Sequence, residues 1–423
     1  MKKKVKIFIE SPFREGVEWV FSILSQYADV KFSFVAQKKE ADFSCGEIDS
    51  DIYLLDDFWN KMRKNEFSYK LVLSDNFCVE KEKKDSFATA FYFLNCLWER
   101  TNDFKVDKWG RSSFSSSIWS SFGYEKPFLQ VNNMFDVILN ELNIKRPQKK
   151  ANVFISHDID AVYSAWKEDG KSALIQLKPL AFTKIIFRHV FAQPTWFNFK
   201  EIVQLERKYN ASSTFFWLVN QDVFPGIGKN ADYDIHSSKM RYELENLKNE
   251  GATIGIHKSI SASSLSEEVE SFPVRIDSNR YHYLKYRFED LITEVNESTV
   301  KLDASLGYAD MYGYRNGYSL PFSPFDFKRN KKANFIEVPL VLMDGTFSRY
   351  LNCTGEEAKN RIQTFIEENS ENAVVSILWH NSHFTNYKYK DYPEVFENTL
   401  NYLDKKSIKS VSPSELIEKY LFE

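Results

Sequence analysis

The segment Ala151-Asn-Val-Phe-Ile-Ser-His-Asp-Ile-Asp-Ala161 decides the predicted fold. Val153 to Ile155 form a short apolar run typical of a buried strand, and polar residues follow it at once. In parallel α/β barrels the functional groups lie where the strands end and the loops converge. We therefore interpret this segment as a barrel strand that leads into a functional loop.

The same order of strand, loop and helix repeats along the rest of the chain. The patterns predict strands at 214–219, 253–256, 335–342 and 374–378, helices at 199–209, 240–249 and 354–368, and a final helix opened by Ser412-Pro-Ser-Glu415. Strands that alternate with helices over about 270 residues imply parallel pairing. The sequence thus predicts an α/β barrel over residues 148–423.

Residues 1–147 are predicted to form a smaller α/β domain of unassigned role. Apolar residues alternate at 5–9 and 30–34 and recur at helical spacing over 17–24, which indicates a βαβ opening. Further expectations are strands at 52–55 and 71–73, a buried helix at 86–98 and a surface loop at 112–121. The polar segment Asn143-Ile-Lys-Arg-Pro-Gln-Lys-Lys150 suits a linker, so we place the boundary near residue 148.

The charge balance argues against partners that are attracted by bulk charge. The chain of 423 residues has 56 Lys and Arg against 59 Asp and Glu, a formal net charge of −3. This balance provides no global field to hold nucleic acid or an anionic membrane. We therefore expect no nucleic acid partner.

The cysteines and the N-terminus indicate a reducing location. No segment approaches ~18 consecutive apolar residues, so no bilayer insertion is expected. Charges at Glu10, Arg14 and Glu15 interrupt the apolar stretch that a signal peptide needs, and we expect a cytoplasmic protein. The four cysteines form no CxxC pair, which argues against a disulfide framework and a cysteine zinc site; they are Cys45, Cys78, Cys96 and Cys353.

Three of the seven histidines, His157, His257 and His380, come just after predicted strand ends. Asp158 and Asp160 stand two apart, so in an extended segment both carboxylates point to one side. Two close like charges need a cation, and a divalent ion held by one carboxylate leaves the other free to accept a proton. The combination favours a metal site over a solvated loop.

A metal site that activates water usually takes three protein ligands. Asp160 and His257 supply two of them, and His282 and His383 are both candidates for the third. Arg315 lies in the glycine-flanked loop Gly313-Tyr-Arg-Asn-Gly-Tyr318. This loop is a candidate source of backbone N–H groups for an oxyanion, and the Arg315 guanidinium is a candidate partner for Asp158. An ordinary turn with an exposed arginine explains the loop equally well.

The ordered segments SHDIDA, STFFWLV, GIHKS, YRNGY and ILWHN resemble the metal-dependent polysaccharide deacetylases. The resemblance covers Ala151 to Glu423 and implies a deformed (β/α)7 barrel. FYFLNCLWER and DKWGRSSFSSS resemble an additional N-terminal α/β domain found in a bacterial subgroup of this superfamily.

The resemblance implies a role for each matching residue. Asp158 matches the catalytic base, and Asp160 and His257 match two metal ligands. Arg315 matches the arginine that orients the base, and His380 matches the general acid.

One position departs from the family pattern. The second motif usually has another histidine four residues after the first, and this chain has Ser261 there. The subgroup carries a histidine in a downstream segment similar to NRYHYLKY, which implies His282 as the missing ligand.

The implied function is a metal-dependent hydrolase that removes an N-acyl group, such as acetyl, from an amino sugar or a sugar-linked intermediate of surface polysaccharide synthesis. The implied cofactor is a divalent metal, and zinc is the first candidate. Backbone N–H groups near Tyr314 and Asn316 are expected to hold the oxyanion, and Tyr318 and Trp379 are expected to face the sugar. Two alternatives stay open: a catalytically silent carbohydrate-binding or assembly protein, and a cyclic-amide hydrolase of the same superfamily.

Overall fold

The structure is a computed structural model that describes residues 3–66, 78–80, 84–100, 104–224, 228–261 and 263–422. The chain opens with a parallel sheet of four strands in the order β2–β1–β3–β4, which are β1 (Lys4–Ile9), β2 (Lys31–Phe34), β3 (Phe43–Gly46) and β4 (Ile52–Tyr53). Helix α1 (Arg14–Ala28) buries an apolar face that includes Val17, Val20 and Leu24. The predicted βαβ opening is present.

Helices complete the N-terminal part. They are α2 (Asp56–Arg63), α3 (Ser86–Leu94), α4 (Ile118–Ser121) and α5 (Gln130–Glu141), and a short antiparallel pair, β5 (Val79–Glu80) and β6 (Lys84–Asp85), precedes α3. The helix predicted at 86–98 ends at Leu94 and is followed by a separate turn at 97–100. The strand predicted at 71–73 lies outside the described residues.

The surface loop predicted at 112–121 is wrong. This segment holds a short turn at 114–116 and then α4, and Trp119 is fully buried. The Trp119 Nε1–H donates to the Arg315 carbonyl oxygen at 3.0 Å, and the Phe114 N–H donates to Asp310. The serines satisfy the backbone locally, while the aromatic side chains between them pack into the core.

The remaining strands build the larger part of the molecule. They are β7 (Asn152–Ile159), β8 (Ser213–Leu218), β9 (Val223–Phe224), β10 (Gly228–Lys229), β11 (Thr253–Lys258), β12 (Ser278–Tyr281), β13 (Leu302–Asp303), β14 (Phe325–Asp326), β15 (Lys331–Lys332), β16 (Ile336–Glu337), β17 (Leu342–Met343), β18 (Val374–Leu378) and β19 (Lys409–Ser410). β9–β10 and β14–β15 are antiparallel pairs. The other nine strands form one parallel sheet in the order β16–β13–β12–β11–β8–β7–β18–β17, with β19 beside β7.

This parallel sheet is curled. β16 and β17 are the two ends of the strand order, yet only residues 338–341 connect them. Four residues span at most roughly 14 Å, so the ends of the sheet must lie near each other. The single strand predicted at 335–342 is two short strands, because Pro339 interrupts the run and proline cannot donate to a sheet ladder. A curled parallel α/β sheet is therefore present, and the seven-stranded deformed barrel stays a prediction.

Helices follow most strands of this sheet. They are α6 (Ala165–Ile175), α7 (Pro179–Phe191), α8 (Phe199–Lys208), α9 (Ser238–Asn249), α10 (Leu265–Ser271), α11 (Phe288–Glu297), α12 (Gly355–Glu368), α13 (Tyr392–Lys406) and α14 (Pro413–Ile417). Thr354 and Ser412 cap α12 and α14 in reciprocal capping boxes with Glu357 and Glu415. Within the described ranges, no helix combines the length and the apolar character needed to cross a bilayer.

One continuous apolar core joins the N-terminal part to the curled sheet. Trp19 on α1 packs edge-on against Phe325, with ring centroids 5.6 Å apart, and its Nε1–H donates to the Ser323 carbonyl oxygen at 3.0 Å. Phe13 packs against the same Phe325 ring. The boundary predicted near residue 148 stays a prediction, and the two parts share buried surface across it.

Candidate active site

The predicted functional residues lie at the carboxyl edge of the parallel sheet. β7 extends through Ile159, so Asp158 belongs to the strand and Asp160 follows it directly. His257 lies on β11, His282 directly after β12 and His380 shortly after β18. Because these strands are parallel neighbours or near neighbours, their carboxyl ends bring the five side chains together.

Asp160, His257 and His282 form a group that could hold a metal ion. Asp160 Oδ1 lies 3.3 Å from His257 Nε2 and 3.5 Å from His282 Nε2. Two ligands of a tetrahedral ion with bonds of about 2.1 Å are about 3.4 Å apart. The separations therefore match a shared ion better than they match hydrogen bonds between the side chains.

Unsatisfied polar atoms point to the same conclusion. Asp160 Oδ1 and His282 Nε2 are buried and have no hydrogen-bond partner. His257 Nδ1 lies 2.8 Å from the Arg280 carbonyl oxygen, and His282 Nδ1 lies 3.1 Å from Asn230 Oδ1. An Nδ1–H donor in each ring leaves Nε2 with a lone pair for a metal. The residues thus fit a divalent ion, and two imidazole nitrogens with one carboxylate oxygen suit zinc.

The protonation states of His282 and Asp160 agree with a ligand set. Burial lowers the pKa of His282 to about 3, so its ring is neutral near pH 7. Burial alone would raise the pKa of Asp160, but His282, His257 and His380 hold it far below the usual aspartate value. Burial also disfavours the charged form of His257, yet the neighbouring Asp158 and Asp160 raise its pKa above the ordinary value.

Arg280 holds the candidate base. Its Nη1 donates to Asp158 Oδ1 and to the Ser156 hydroxyl, both at 2.8 Å, and its Nε donates to the Ala304 carbonyl oxygen. Arg280 is fully buried, and its guanidinium lies over the Phe216 ring. Asp158 Oδ2 is left facing His257 Nε2 at 3.5 Å. This arrangement fixes one carboxylate oxygen of Asp158 and directs the other toward His257 and the neighbouring ligand candidates.

The role expected for Arg315 is therefore corrected. Its Nε donates to Glu99 Oε1 at 2.9 Å, and its Nη1 donates to the Gly307 carbonyl oxygen and the Tyr286 hydroxyl. Glu99 comes from the N-terminal part. It forms an ion pair with the Arg315 guanidinium, which was expected to pair with Asp158. The signal that sequence reasoning missed is Arg280, which stands two residues before His282 just as Asp158 stands two before Asp160.

His380 is tied to a second buried aspartate. Asp344 Oδ1 lies 2.7 Å from His380 Nδ1, and the His380 backbone N–H donates to Asp344 Oδ2 at 2.6 Å. His380 Nε2 is 3.7 Å from Asp160 Oδ2. Burial alone would lower the pKa of His380, but the Asp344 charge and hydrogen bond raise it to about 9. His380 thus carries a proton near pH 7 and faces the metal group with Nε2.

Asp344, His380 and His383 form another three-residue group that could hold an ion. Here the polar atoms already have partners, since His383 Nδ1 lies 3.1 Å from Asp344 Oδ2 and His383 Nε2 lies 3.1 Å from the Ser348 hydroxyl. His383 also stacks on Tyr389 with ring centroids 3.5 Å apart. An ion there would have to replace formed hydrogen bonds, so His383 is the weaker candidate for a third ligand.

Two other sequence features lie outside the metal group. The Ser261 hydroxyl donates to Glu268 at 2.7 Å, so this side chain does not belong to the group of Asp160, His257 and His282. His157 points away from Asp158, as strand alternation requires, and its Nε2 lies 2.8 Å from Glu206. His157 is a buried structural residue.

A cavity of about 320 Å³ opens onto the metal group. Asp158, Asp160, His257, His282 and His380 all line it. The other lining residues were missed by the sequence interpretation, and they include Trp109, Arg111, Tyr283, Arg349 and Tyr350. Trp109 and Arg111 come from the segment before residue 148, so the N-terminal part contributes directly to this cavity.

The four residues expected to bind substrate do not line the cavity. Tyr314, Asn316, Tyr318 and Trp379 are all buried. Tyr318 packs against Tyr27 and Phe135 of the N-terminal part, and Trp379 packs against Phe396 and Tyr392 of α13. The structure thus places the Tyr318 and Trp379 rings in the core behind the strand ends and not at the cavity.

Comparisons with known proteins give only distant structural matches. No protein-family model and no curated protein matches the chain. Among solved structures, a mutant of a carbohydrate esterase family 4 pseudoenzyme with restored activity matches at 8% identity and a TM-score of 0.33, covering 64% of this chain and 69% of the other.

Two further solved structures match over the same share of this chain. A Parabacteroides distasonis protein described as a candidate glycoside hydrolase/deacetylase matches at 11% identity and a TM-score of 0.38, covering 64% of this chain and 71% of the other. A 4-α-glucanotransferase from Thermococcus litoralis matches at 11% identity and a TM-score of 0.37, covering 64% of this chain and 41% of the other. All three of these TM-scores lie below 0.5.

Proposed function

We propose that the chain is a metal-dependent amide hydrolase that removes an acyl group from the nitrogen of an amino sugar. Acetyl is the first candidate for this group. One observation carries this proposal: an aspartate clamped by a buried arginine stands beside three metal-type ligands, two of which have unsatisfied buried atoms. A protonated histidine faces the same point. A base, an ion site and an acid at one cavity are the parts that hydrolysis of an amide requires.

Asp160, His257 and His282 would hold the ion. A divalent cation in this site would supply a Lewis acid that polarises the scissile carbonyl and makes water a better nucleophile. The chain's own residues perform the proton transfers. Asp158 takes a proton from the attacking water through Oδ2, while Arg280 keeps Oδ1 in place. The C–N bond breaks as His380 delivers its Nε2 proton to the departing amine, and Asp344 stabilises the charged ring before that transfer.

The lining of the cavity supports a sugar substrate. Trp109, Tyr283 and Tyr350 are half-buried and line the cavity, so they offer apolar faces with polar edges to a ring that carries both CH and OH groups. The volume of about 320 Å³ is suited to a monosaccharide unit with its acyl group. The surface polysaccharide pathway is part of the proposal only through the family resemblance.

The decisive experiment compares the wild-type chain with Asp158→Asn on a panel of N-acetylated amino sugars and hydantoin-type cyclic amides, with metal content measured in parallel. We expect about one chelator-removable ion per chain in both proteins, since Asp158 is not in the ligand group. Turnover by the variant should fall by at least ~10²-fold, as expected when a general base is lost.

Three outcomes would contradict parts of this proposal. Retained turnover in Asp158→Asn would remove the assigned base. Absence of bound metal and of activity in the wild-type chain would favour the silent carbohydrate-binding alternative. Activity confined to the cyclic amides would replace the amino-sugar substrate with a ring-opening reaction.

A further inference from the structure

The hairpin of α6 and α7 exposes a concentration of large apolar side chains. Fifteen such side chains are exposed in the described part of the chain, and seven of them fall between residues 174 and 191. Single exposed hydrophobic residues are ordinary, whereas a contiguous group marks a contact surface. The seven are 53–88% exposed and are Leu174, Ile175, Leu177, Leu180, Phe187, Val190 and Phe191.

These side chains form one surface at the outer side of the hairpin. Leu180, Phe187 and Phe191 recur at the spacing that places residues on one side of a helix. The opposite side of α7 already has its partner, because Ile185 is buried and the Phe182 ring lies close to Gly170 on α6. Residues 174–177 extend the exposed apolar surface around the tip of the hairpin.

The charged side chains of the same segment are all basic. Residues 171–193 contain four basic side chains and no Asp or Glu, although acidic residues outnumber basic ones in the whole chain. None of the four makes an ion pair in the described part of the chain; Lys178 donates to Gln176 and Arg188 to the Gln193 carbonyl oxygen. The four are Lys171, Lys178, Lys184 and Arg188.

We propose that the α6–α7 hairpin docks on the surface of an anionic lipid bilayer, with its apolar side chains in the interface and its basic side chains at the headgroups. Apolar residues mixed with lysine and arginine are the features that bind helices to such surfaces. A second copy of the chain fits this surface less well, because a two-fold contact would bring the same four positive charges face to face. The overall charge of −3 hides this local patch.

The base of the hairpin lies at the edge of the sheet that carries the active site. α6 begins five residues after Asp160, and Lys388 pairs with Glu168 of α6 at 2.7 Å. The neighbouring Tyr389 contacts both His383 and Arg349. Docking therefore holds the catalytic edge near the bilayer. Resting on the proposed function, the inference is that the substrate is an amino sugar carried by a membrane lipid.

The test is co-sedimentation of the full chain with vesicles of phosphatidylcholine, either alone or with about 30% phosphatidylglycerol. We expect binding to the anionic vesicles that weakens with added salt, and much weaker binding to the neutral ones. The triple variant Leu177→Ser/Leu180→Ser/Phe187→Ser should lose at least ~10-fold in binding, because less apolar surface enters the interface. A matched control, Ile48→Ser/Val223→Ser/Tyr242→Ser, replaces equally exposed residues elsewhere and should bind like the wild type.

A second variant tests the charges without touching the apolar surface. Lys178→Gln/Lys184→Gln should bind anionic vesicles less tightly and with a weaker dependence on salt. Failure of the wild-type chain to bind anionic vesicles would overturn docking, and so would equal binding by the apolar variant. A wild-type dimer that the apolar variant dissociates, without vesicle binding, would show a self-association surface and would likewise overturn it.

Hydrolysis of a water-soluble N-acetylated sugar separates this inference from the proposed function. The triple variant Leu177→Ser/Leu180→Ser/Phe187→Ser should keep this activity although it no longer binds the vesicles. Vesicle binding by a wild-type chain that hydrolyses no N-acetylated sugar would leave docking in place and contradict the proposed function. Activity on a soluble substrate without any vesicle binding would leave the proposed function in place and contradict docking and the lipid-linked substrate.

Discussion

At the scale of single residues, His282 is placed where it could complete a metal site with Asp160 and His257. Its Nε2 lies 3.5 Å from Asp160 Oδ1, and Tyr283 stacks on its ring with centroids 4.0 Å apart. Tyr283 and Leu284 both adopt positive φ angles, which are uncommon for such side chains. This unusual backbone directly follows the proposed ligand, in keeping with the tendency of strained residues to occur at functional sites.

Replacing His282 should weaken metal binding. In His282→Ala one of three protein ligands is lost, so we expect metal occupancy after dialysis to fall well below one ion per chain. His383→Ala is the matched control, since His383 is bonded to Asp344 and Ser348 and should leave occupancy unchanged. Metal analysis of both variants checks this. The opposite result would assign the third ligand to His383.

His380 should make the stability of the metal-free protein depend on pH. Its pKa is about 9 in the folded chain against an ordinary 6.5, so its contribution is complete below about pH 6.5 and is lost as pH rises through 9. The shift corresponds to at most about 3 kcal/mol. Denaturant unfolding in chelator between pH 6.5 and 9.5 measures it. Asp344→Asn should flatten this profile, and equal slopes in both proteins would contradict the assigned cause.

At the scale of elements, strand alternation places the side chains of the candidate active site. On β7 it separates Asp158 from His157, and on β12 it puts Arg280 on the side of His282. β7 and β12 are three steps apart in the sheet, with β8 and β11 between them. The Arg280 side chain therefore crosses the interior of the curled sheet to reach Asp158, which a flat sheet would not allow.

Arg280→Gln should reduce catalysis more than metal binding. The variant loses the charge-assisted hydrogen bond that fixes Asp158, so we expect turnover to fall by about 10-fold or more with the ion retained. Arg315→Gln is the informative comparison, because Asp158 keeps its hydrogen bond to Arg280 in this variant. The buried Glu99 loses its charged partner, so we expect the protein to be less stable. Kinetics, metal content and thermal unfolding of both variants check this. A larger catalytic loss in Arg315→Gln than in Arg280→Gln would restore the original assignment.

At the scale of the whole molecule, the N-terminal part and the curled sheet share one apolar core. Glu99 pairs with Arg315, and Trp109 and Arg111 line the cavity of the candidate active site. The Arg111 guanidinium is itself held by Asp107 and by the Tyr350 hydroxyl. The N-terminal part therefore both supports the sheet and shapes the proposed substrate site.

Removing a packing contact between the N-terminal part and the curled sheet should destabilise both of them together. Trp19→Ala removes a buried indole that contacts Phe325, and we expect a loss of about 3–5 kcal/mol in the free energy of unfolding. Trp19→Phe keeps most of the packing and should lose less. Calorimetry checks this, and we expect a single unfolding transition that shifts to lower temperature in the variants. Two transitions, of which only one moves, would show independent domains.

The sequence by itself determined the alternation of strands and helices, the strand ends that carry Asp158, Asp160, His257 and His380, and, through the family resemblance, His282. These features follow from local periodicity and motif spacing, which a linear chain displays. Tertiary structure decided the pairing of Arg280 with Asp158, the burial of Tyr318 and Trp379, and the exposure of the α6–α7 hairpin. Each of these depends on which distant segments meet when the sheet curls, and no local pattern records such contacts.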